Sequence, residues 1–257
     1  PYSLVGSEMC IRDSLTTYAF PTSFVILFSL AAAILLFGWI FSTRIREPAH
    51  PVDGAPQGQR EFLASLPRLL REDQPFRRFL AARLLMSLGG MGLGFVTVAA
   101  VRRWAVADGT VGLYTGVLLL GQTVGNLVFG LLADRRGHKF ALEWAALAYA
   151  VAFALAWLAP GAAWYYAVFL LIGVSQGILV VSGILVLFEF SEPKRRPTYI
   201  GLANTSLGVV NVLGPMAAAW LAGVDFGVLF AACAGISFVS WVSMRWWVEE
   251  PRRMARA

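Results

Sequence analysis

The sequence predicts an all-α membrane protein with seven transmembrane helices. Of 257 residues, 58% are hydrophobic and 14% charged, against about 45–50% and about 25% in a soluble domain. The mean hydropathy is +0.67. The charges stand between apolar runs of roughly 20 residues, the length that crosses a bilayer core. This composition excludes a disordered chain. Two cysteines, Cys10 and Cys233, are too few for a disulfide-built secreted domain, and no metal-ligand spacing surrounds them. The net charge of +6 falls between the apolar runs, so it points to a lipid bilayer and not to nucleic acid.

The opening PYSLVGSEMCIRDS, Pro1–Ser14, resembles a translated sequencing-adapter artefact found at the ends of environmental gene predictions. On that reading it is a non-native tail, like a fusion scar. The native chain then starts near Leu15 with its upstream part missing. The other reading is an ordinary extramembrane tail. Span one, Phe20–Phe41, has 22 residues without a charge. It has no basic region before it, so it does not read as a signal peptide. Residues 43–78 form the one long linker, polar and Pro/Gly-rich at first. Phe62, Leu63, Leu66, Leu69 and Leu70 then recur at helical spacing among arginines. They suggest a short interfacial helix, weakened by Pro67, or else a solvated loop.

Residues 79–248 hold six more spans. Leu84–Val101 has 18 uncharged residues and Gly109–Ala133 has 25. The 45 uncharged residues of Trp144–Phe188 are too many for one crossing. Pro160-Gly161 breaks them into two helices, about Phe140–Leu158 and Ala163–Leu187. Pro197–Val224 and Phe226–Met244 follow, and residues 249–257 form a tail. With the chain start outside, 18 loop arginines and lysines fall inside and only Arg102 and Arg103 outside. The positive-inside rule therefore puts the C-terminus in the cytoplasm, here expected of a bacterial inner membrane. This count groups Arg83 with the flanking arginines.

Amides divide the spans. Gln122 and Asn126 lie in span three, Gln176 in span five, and Asn204 and Asn211 in span six; spans one, four and seven have none. An unpartnered amide costs a few kcal/mol in hydrocarbon. The amide-bearing spans should thus face other helices or a wet cavity, and spans one, four and seven lipid. Glycines concentrate in span two (Gly89, Gly90, Gly92, Gly94) and span five (Gly173, Gly177, Gly183), where they permit close packing or bending. Trp164, Tyr165 and Tyr166 read as an interfacial aromatic belt, with a gate as the lesser option.

Between spans three and four stands GLLADRRGHK, Gly130–Lys139. It matches G-x-x-x-D-R-x-G-x-R/K and resembles the second-half loop signature of the major facilitator superfamily. Gly130 would let a neighbouring helix approach. Asp134 would accept hydrogen bonds from a helix N-terminus. Arg135 and Arg136 would supply donors to carboxylates. Gly137 would permit the turn, and Lys139 would anchor span four. The resemblance implies that the chain is the family's sixth to twelfth helices with its central linker. Spans one, four and seven then occupy the positions that face lipid in that family.

The resemblance further implies transport of a small-molecule substrate by alternating access, with the missing N-terminal half of the same chain as partner. Gln122, Asn126, Gln176 and Asn211 are the candidate substrate contacts, or else interhelical hydrogen bonds. Glu189, Glu192 and Arg196 resemble a loop element that latches one conformation, with Arg135 or Arg136 as partners; a solvated charge cluster is the alternative. Gly208–Pro215 weakly resembles an antiporter helix motif. No acid lies deep in a span; Glu143 reads as an i,i+4 partner of Lys139. A coupling proton would need a carboxylate in the missing half. No cofactor, metal or catalytic motif is present, and His50 and His138 read as lone loop residues, so an enzyme is not expected. Two alternatives share the topology: a complete seven-helix receptor or sensor, and a half-transporter acting as a dimer.

Overall fold

The computed structural model describes residues 22–45, 69–193 and 195–251. The tail at Pro1–Ser14, Cys10, the part of the expected interfacial helix before Leu69, His50, Lys194 and the end of the C-terminal tail lie outside the described residues; Leu69 and Leu70 are helical. The described residues are mostly helical, with no strand among them.

The chain divides into two units, residues 1–56 and 57–257. The first contains α1 (Thr22–Ser42), 21 residues without a polar face, as a lipid-spanning helix requires. The second contains α2 (Gln74–Gly89), a 3-10 turn (Gly90–Gly92), α3 (Leu93–Trp104), α4 (Asp108–Arg136), α5 (His138–Leu158), α6 (Trp164–Phe190), α7 (Arg196–Val224), α8 (Phe226–Val242) and a closing π-turn (Ser243–Trp247). In this unit six segments are long and apolar enough to cross a membrane, α2–α3 forming one of them. The seven predicted spans are therefore all helices.

The helices start and stop where local chemistry directs. Asp73 caps α2 by accepting a hydrogen bond from the Phe76 N–H at 3.0 Å, with Pro75 in the first turn. Gly137 alone joins α4 to α5, at φ +98°, a conformation that disfavours any side chain. Asp225 alone joins α7 to α8 and accepts from the Gly227 N–H at 2.6 Å. Pro215 lies within the unbroken α7.

Packing is led by α4 against α6. A Cβ at Gly121 or Gly125 would strike the α6 carbonyls of Leu170 or Val174. A Cβ at Gly173 or Gly177 would strike those of Leu118 or Gln122. These are two G-x-x-x-G pairs facing each other, which brings the backbones together. Ser175 on α6 bonds the Ala145 carbonyl of α5 at 2.8 Å. A stripe of small residues on α5, Ala141, Ala145, Ala152 and Ala156, is fully buried. Ser240 on α8 reaches the Ala82 carbonyl of α2 at 2.9 Å.

The expectation that amide-free span four faces lipid holds for one stripe only. Trp144, Val151 and Trp157 are exposed, yet 56% of the apolar stretch of α5 is buried, the largest share of the six. The amide-bearing α4 and α7 are the least buried, at 17% and 11%. Alanines bury a helix by letting neighbours close on it, whatever its amide content.

At the arginine-rich end, Lys139 Nζ lies 3.0 Å from Glu143 Oε1, both side chains under 10% exposed, and Arg245 adds a 3.4 Å contact. The i,i+4 pair is as expected, but it is buried. His138 is not the lone loop histidine of the sequence reading: it opens α5, is buried, and its Nδ1 lies 3.2 Å from Ser182 Oγ.

Two stability changes follow for the complete chain in detergent. Gly177→Ala drives a methyl into the α4 backbone and should destabilise the fold by roughly 1–3 kcal/mol, read as a lower melting temperature. Gly235→Ala, on the open side of α8, should be neutral or stabilising by up to about 1 kcal/mol. Equal effects at the two sites would refute the close contact. Glu143→Gln strands the Lys139 charge and should cost about 3–5 kcal/mol, while joint replacement of both by Met should restore most of it.

Candidate functional site

A cavity of ≈430 Å³ opens between α2, the 3-10 turn, α3 and α7, with Tyr149 of α5 and Leu179 of α6 on its wall. That volume lies within the roughly 300–1,000 Å³ of drug-sized ligand sites. Two glycines at the 3-10 turn meet tight neighbours. A Cβ at Gly89 would strike Ser237, and one at Gly92 would come to 2.8 Å from Cys233 Sγ. The helix tightens there and resumes as α3, leaving Gly90 and Met91 on the cavity wall. Most of the lining is apolar: Met86, Met91, Leu93, Phe95 and Val210 among others. Arg83, Ser87, Tyr149 and Asn211 supply the polar groups.

Asn211 stands near the middle of α7, and its Oδ1 accepts a hydrogen bond from Ser87 Oγ at 2.8 Å. Of the four amides singled out in the sequence, it alone lines this cavity. Gln122 and Asn126 sit half-buried on α4 at its contact with α6, and Gln176 is half-buried on α6.

Arg83 requires a correction. It is not a flanking arginine: it lies nine residues inside α2, on the cavity wall. The uncharged run begins at Leu84, which disguised it as a flank. The signal that marks the true helix start is Asp73-Gln74-Pro75, a capping residue followed by an early proline.

The loop motif is resolved. Asp134, Arg135 and Arg136 are exposed, and Arg136 lies over the Phe140 ring at 5.2 Å. Gly137 takes the turn, and a Cβ there would strike the Glu250 carboxylate. At Gly130 nothing described lies within 4 Å of a Cβ, so the close approach expected there is not made within these residues. Among the latch candidates, Glu192 is exposed, and Arg196 lies over the Phe188 ring at 5.2 Å. Glu189 is half-buried at the end of α6.

Two contacts were missed in the sequence. Tyr199 Oη donates to Asp73 Oδ2 at 2.6 Å, tying α7 to the start of α2. Tyr165 is not a belt residue: it is fully buried and packs on Trp104, with ring centres 5.0 Å apart, while Trp164 and Tyr166 remain exposed. Among the described residues no group of His, Cys, Asp and Glu is arranged to hold a metal ion.

The sequence profile of the Major Facilitator Superfamily matches residues 79–257. A steroid transmembrane transporter of Microcebus murinus, SLC22A24, is 28% identical over 138 residues, 53% of this chain and 24% of that protein. Human solute carrier family 22 member 10 is 28% identical over 137 residues, 53% of this chain and 25% of that protein. The matched region thus spans about a quarter of the length of either relative. No solved structure gives a significant match. With membrane-length helices, the signature loop and the family profile in agreement, the chain is an integral membrane protein of the transport class, and it belongs to the major facilitator superfamily.

Proposed function

We propose that the chain supplies the second half of a transporter that moves a small organic solute across the membrane by alternating access. The observation that carries this reading is the ≈430 Å³ cavity, with Asn211 at mid-helix on one wall and the glycine-rich break of α2–α3 on the other. Transporter sites form near the midplane, where irregular backbone is tolerated only beside protein or a cavity.

The two least buried helices, α4 and α7, are the natural docking faces for a first half of the same transporter. They present Leu119, Leu120 and Leu127 on one and Val212, Leu213 and Met216 on the other. The arginine-rich ends lie in the cytoplasm on this reading, with the C-terminus. Gln122 and Asn126 border the same surface of α4 and serve as contacts when the halves rock. Asp134 with Arg135 and Arg136 gates the cytoplasmic side, and Glu189, Glu192 and Arg196 form the latch. A coupling proton, where transport is proton-driven, is carried by a carboxylate outside these residues. The name of the Microcebus murinus relative makes steroid-sized solutes the first to test.

Sequencing the source DNA upstream of the codon for Leu15 is the first check. Five further apolar spans and a second G-x-x-x-D-R-x-G-x-R/K loop are expected. A start codon with a ribosome-binding site at that point would remove the two-half mechanism and favour a receptor or a dimeric half-transporter. In the complete chain, Asp134→Asn should lower the uptake rate about tenfold, roughly 1.4 kcal/mol at the barrier, with membrane insertion unchanged. Unaltered uptake would take the gating role from this loop.

A further inference from the structure

Three cations near the arginine-rich face have carboxylate partners. Arg78 meets Glu249 at 3.1 Å, and Lys139 and Arg245 share Glu143. Arg83 lies five residues deeper than Arg78 on the same helix, about 7–8 Å along the axis. Among the described residues no salt bridge reaches it. Its Nη1 has only the thioether of Met86 at 3.5 Å, a weak acceptor, and its buried Nε has no hydrogen-bond partner. The fold nonetheless makes room for the head group. A Cβ at Gly183 of α6 would come to 2.9 Å from Arg83 Nη2. An uncompensated charge inside a membrane span is costly and marks a site of function.

The surroundings define what would compensate it. Asn211 has its Oδ1 engaged by Ser87, which leaves its NH2 group as a donor on the same cavity wall. Among the described residues no carboxylate lines the cavity. Its polar groups are therefore a guanidinium, an amide, a hydroxyl and the Tyr149 phenol, set in a wall of methionine, leucine, valine and phenylalanine. A guanidinium fork pairs with a carboxylate or sulfate through two parallel hydrogen bonds.

We propose that Arg83 is the docking group for the oxyanion of an organic monoanion, with Asn211 as second donor and the apolar wall receiving the body of the solute. This assignment rests on the transport reading above and names its substrate class. The charge that is stranded in the empty site becomes the recognition element in the loaded one.

The test uses the complete chain in proteoliposomes and three probes on one steroid skeleton: the sulfate, the uncharged alcohol and a trimethylammonium derivative. The sulfate should be taken up about tenfold faster or more than the other two, the factor expected for hydrogen bonds to a charged group. Arg83→Gln should erase that preference, and Arg83→Lys should retain part of it. Uptake of the alcohol or the cation at or above the sulfate would overturn the anion assignment alone. Uptake of none of the three would overturn it together with steroid-sized transport. A second measurement separates docking from a structural ion pair. Without substrate, Arg83→Gln should melt at the same temperature as the parent chain or higher, because it removes an uncompensated buried charge. A fall of several degrees would assign Arg83 to a carboxylate of the protein and overturn the proposal.

Discussion

The close approach of α4 and α6 is the constraint from which the remaining packing follows. Lipid is as apolar as leucine, so helices in a membrane gain little from the hydrophobic effect and associate through contact. Four glycines, Gly121 and Gly125 against Gly173 and Gly177, let the two backbones touch. With α6 held there, its other side meets α5 at Ser175 and Ala145. Next, α5 packs on α8, where the Phe153 and Phe230 rings stack with centres 6.2 Å apart; α8 in turn closes on α2 through Ser237, Ser240 and the glycines of the 3-10 turn. The helices thus pack as a series, α4–α6–α5–α8–α2.

That series leaves α7 at its margin. It meets α2 through Tyr199, which bonds Asp73 and packs on Phe76 at the arginine-rich end, and through Asn211 with Ser87 at mid-helix; Gly214 lies beside Met91 of the 3-10 turn. At mid-helix the tie is thus a single hydrogen bond, worth little net stability. A cavity between α2 and α7 is the consequence of this light packing. A helix held by few contacts can also shift at small cost, which is what a moving cavity wall requires. The same arrangement places the polar lining where the packing is weakest, so ligand groups need not displace a close-packed core.

Crossing number and helix type were legible in the sequence because length and apolarity alone decide them. The ends were not. The uncharged-run criterion stops at the first charge, so it cut ten residues from α2 and placed Arg83 outside; the Lys139–Glu143 pair was read as interfacial, whereas both side chains are buried. Both errors share one cause. Those charges are enclosed by segments distant in sequence, with Gly183 of α6 beside Arg83 and Arg245 102 residues from Glu143. The burial order failed for a related reason: amide content records polarity, while α5 is buried by the small size of its alanines. The two facing G-x-x-x-G pairs could have been read directly, since the four glycines recur at a fixed spacing on spans three and five. Of the candidate contacts, Asn211 reached the cavity. Gln122, Asn126 and Gln176 did not, because which face of a helix turns inward is set by its neighbours.

The contrast between Arg83 and the other basic groups bears on how such a site can cycle. Lys139 and Arg78 are neutralised by carboxylates of the same half, so their electrostatics change little whichever way the cavity opens. Arg83 is different, since its compensation comes from water when the cavity is wet and from a solute when the site is loaded. Closing protein over an empty, drying cavity would leave the guanidinium in low dielectric without a counter-ion, at a cost of several kcal/mol. Closing it over a bound oxyanion would not. On the docking proposal, one residue therefore both selects the solute and favours occlusion of the loaded state over the empty one, with no separate sensor required.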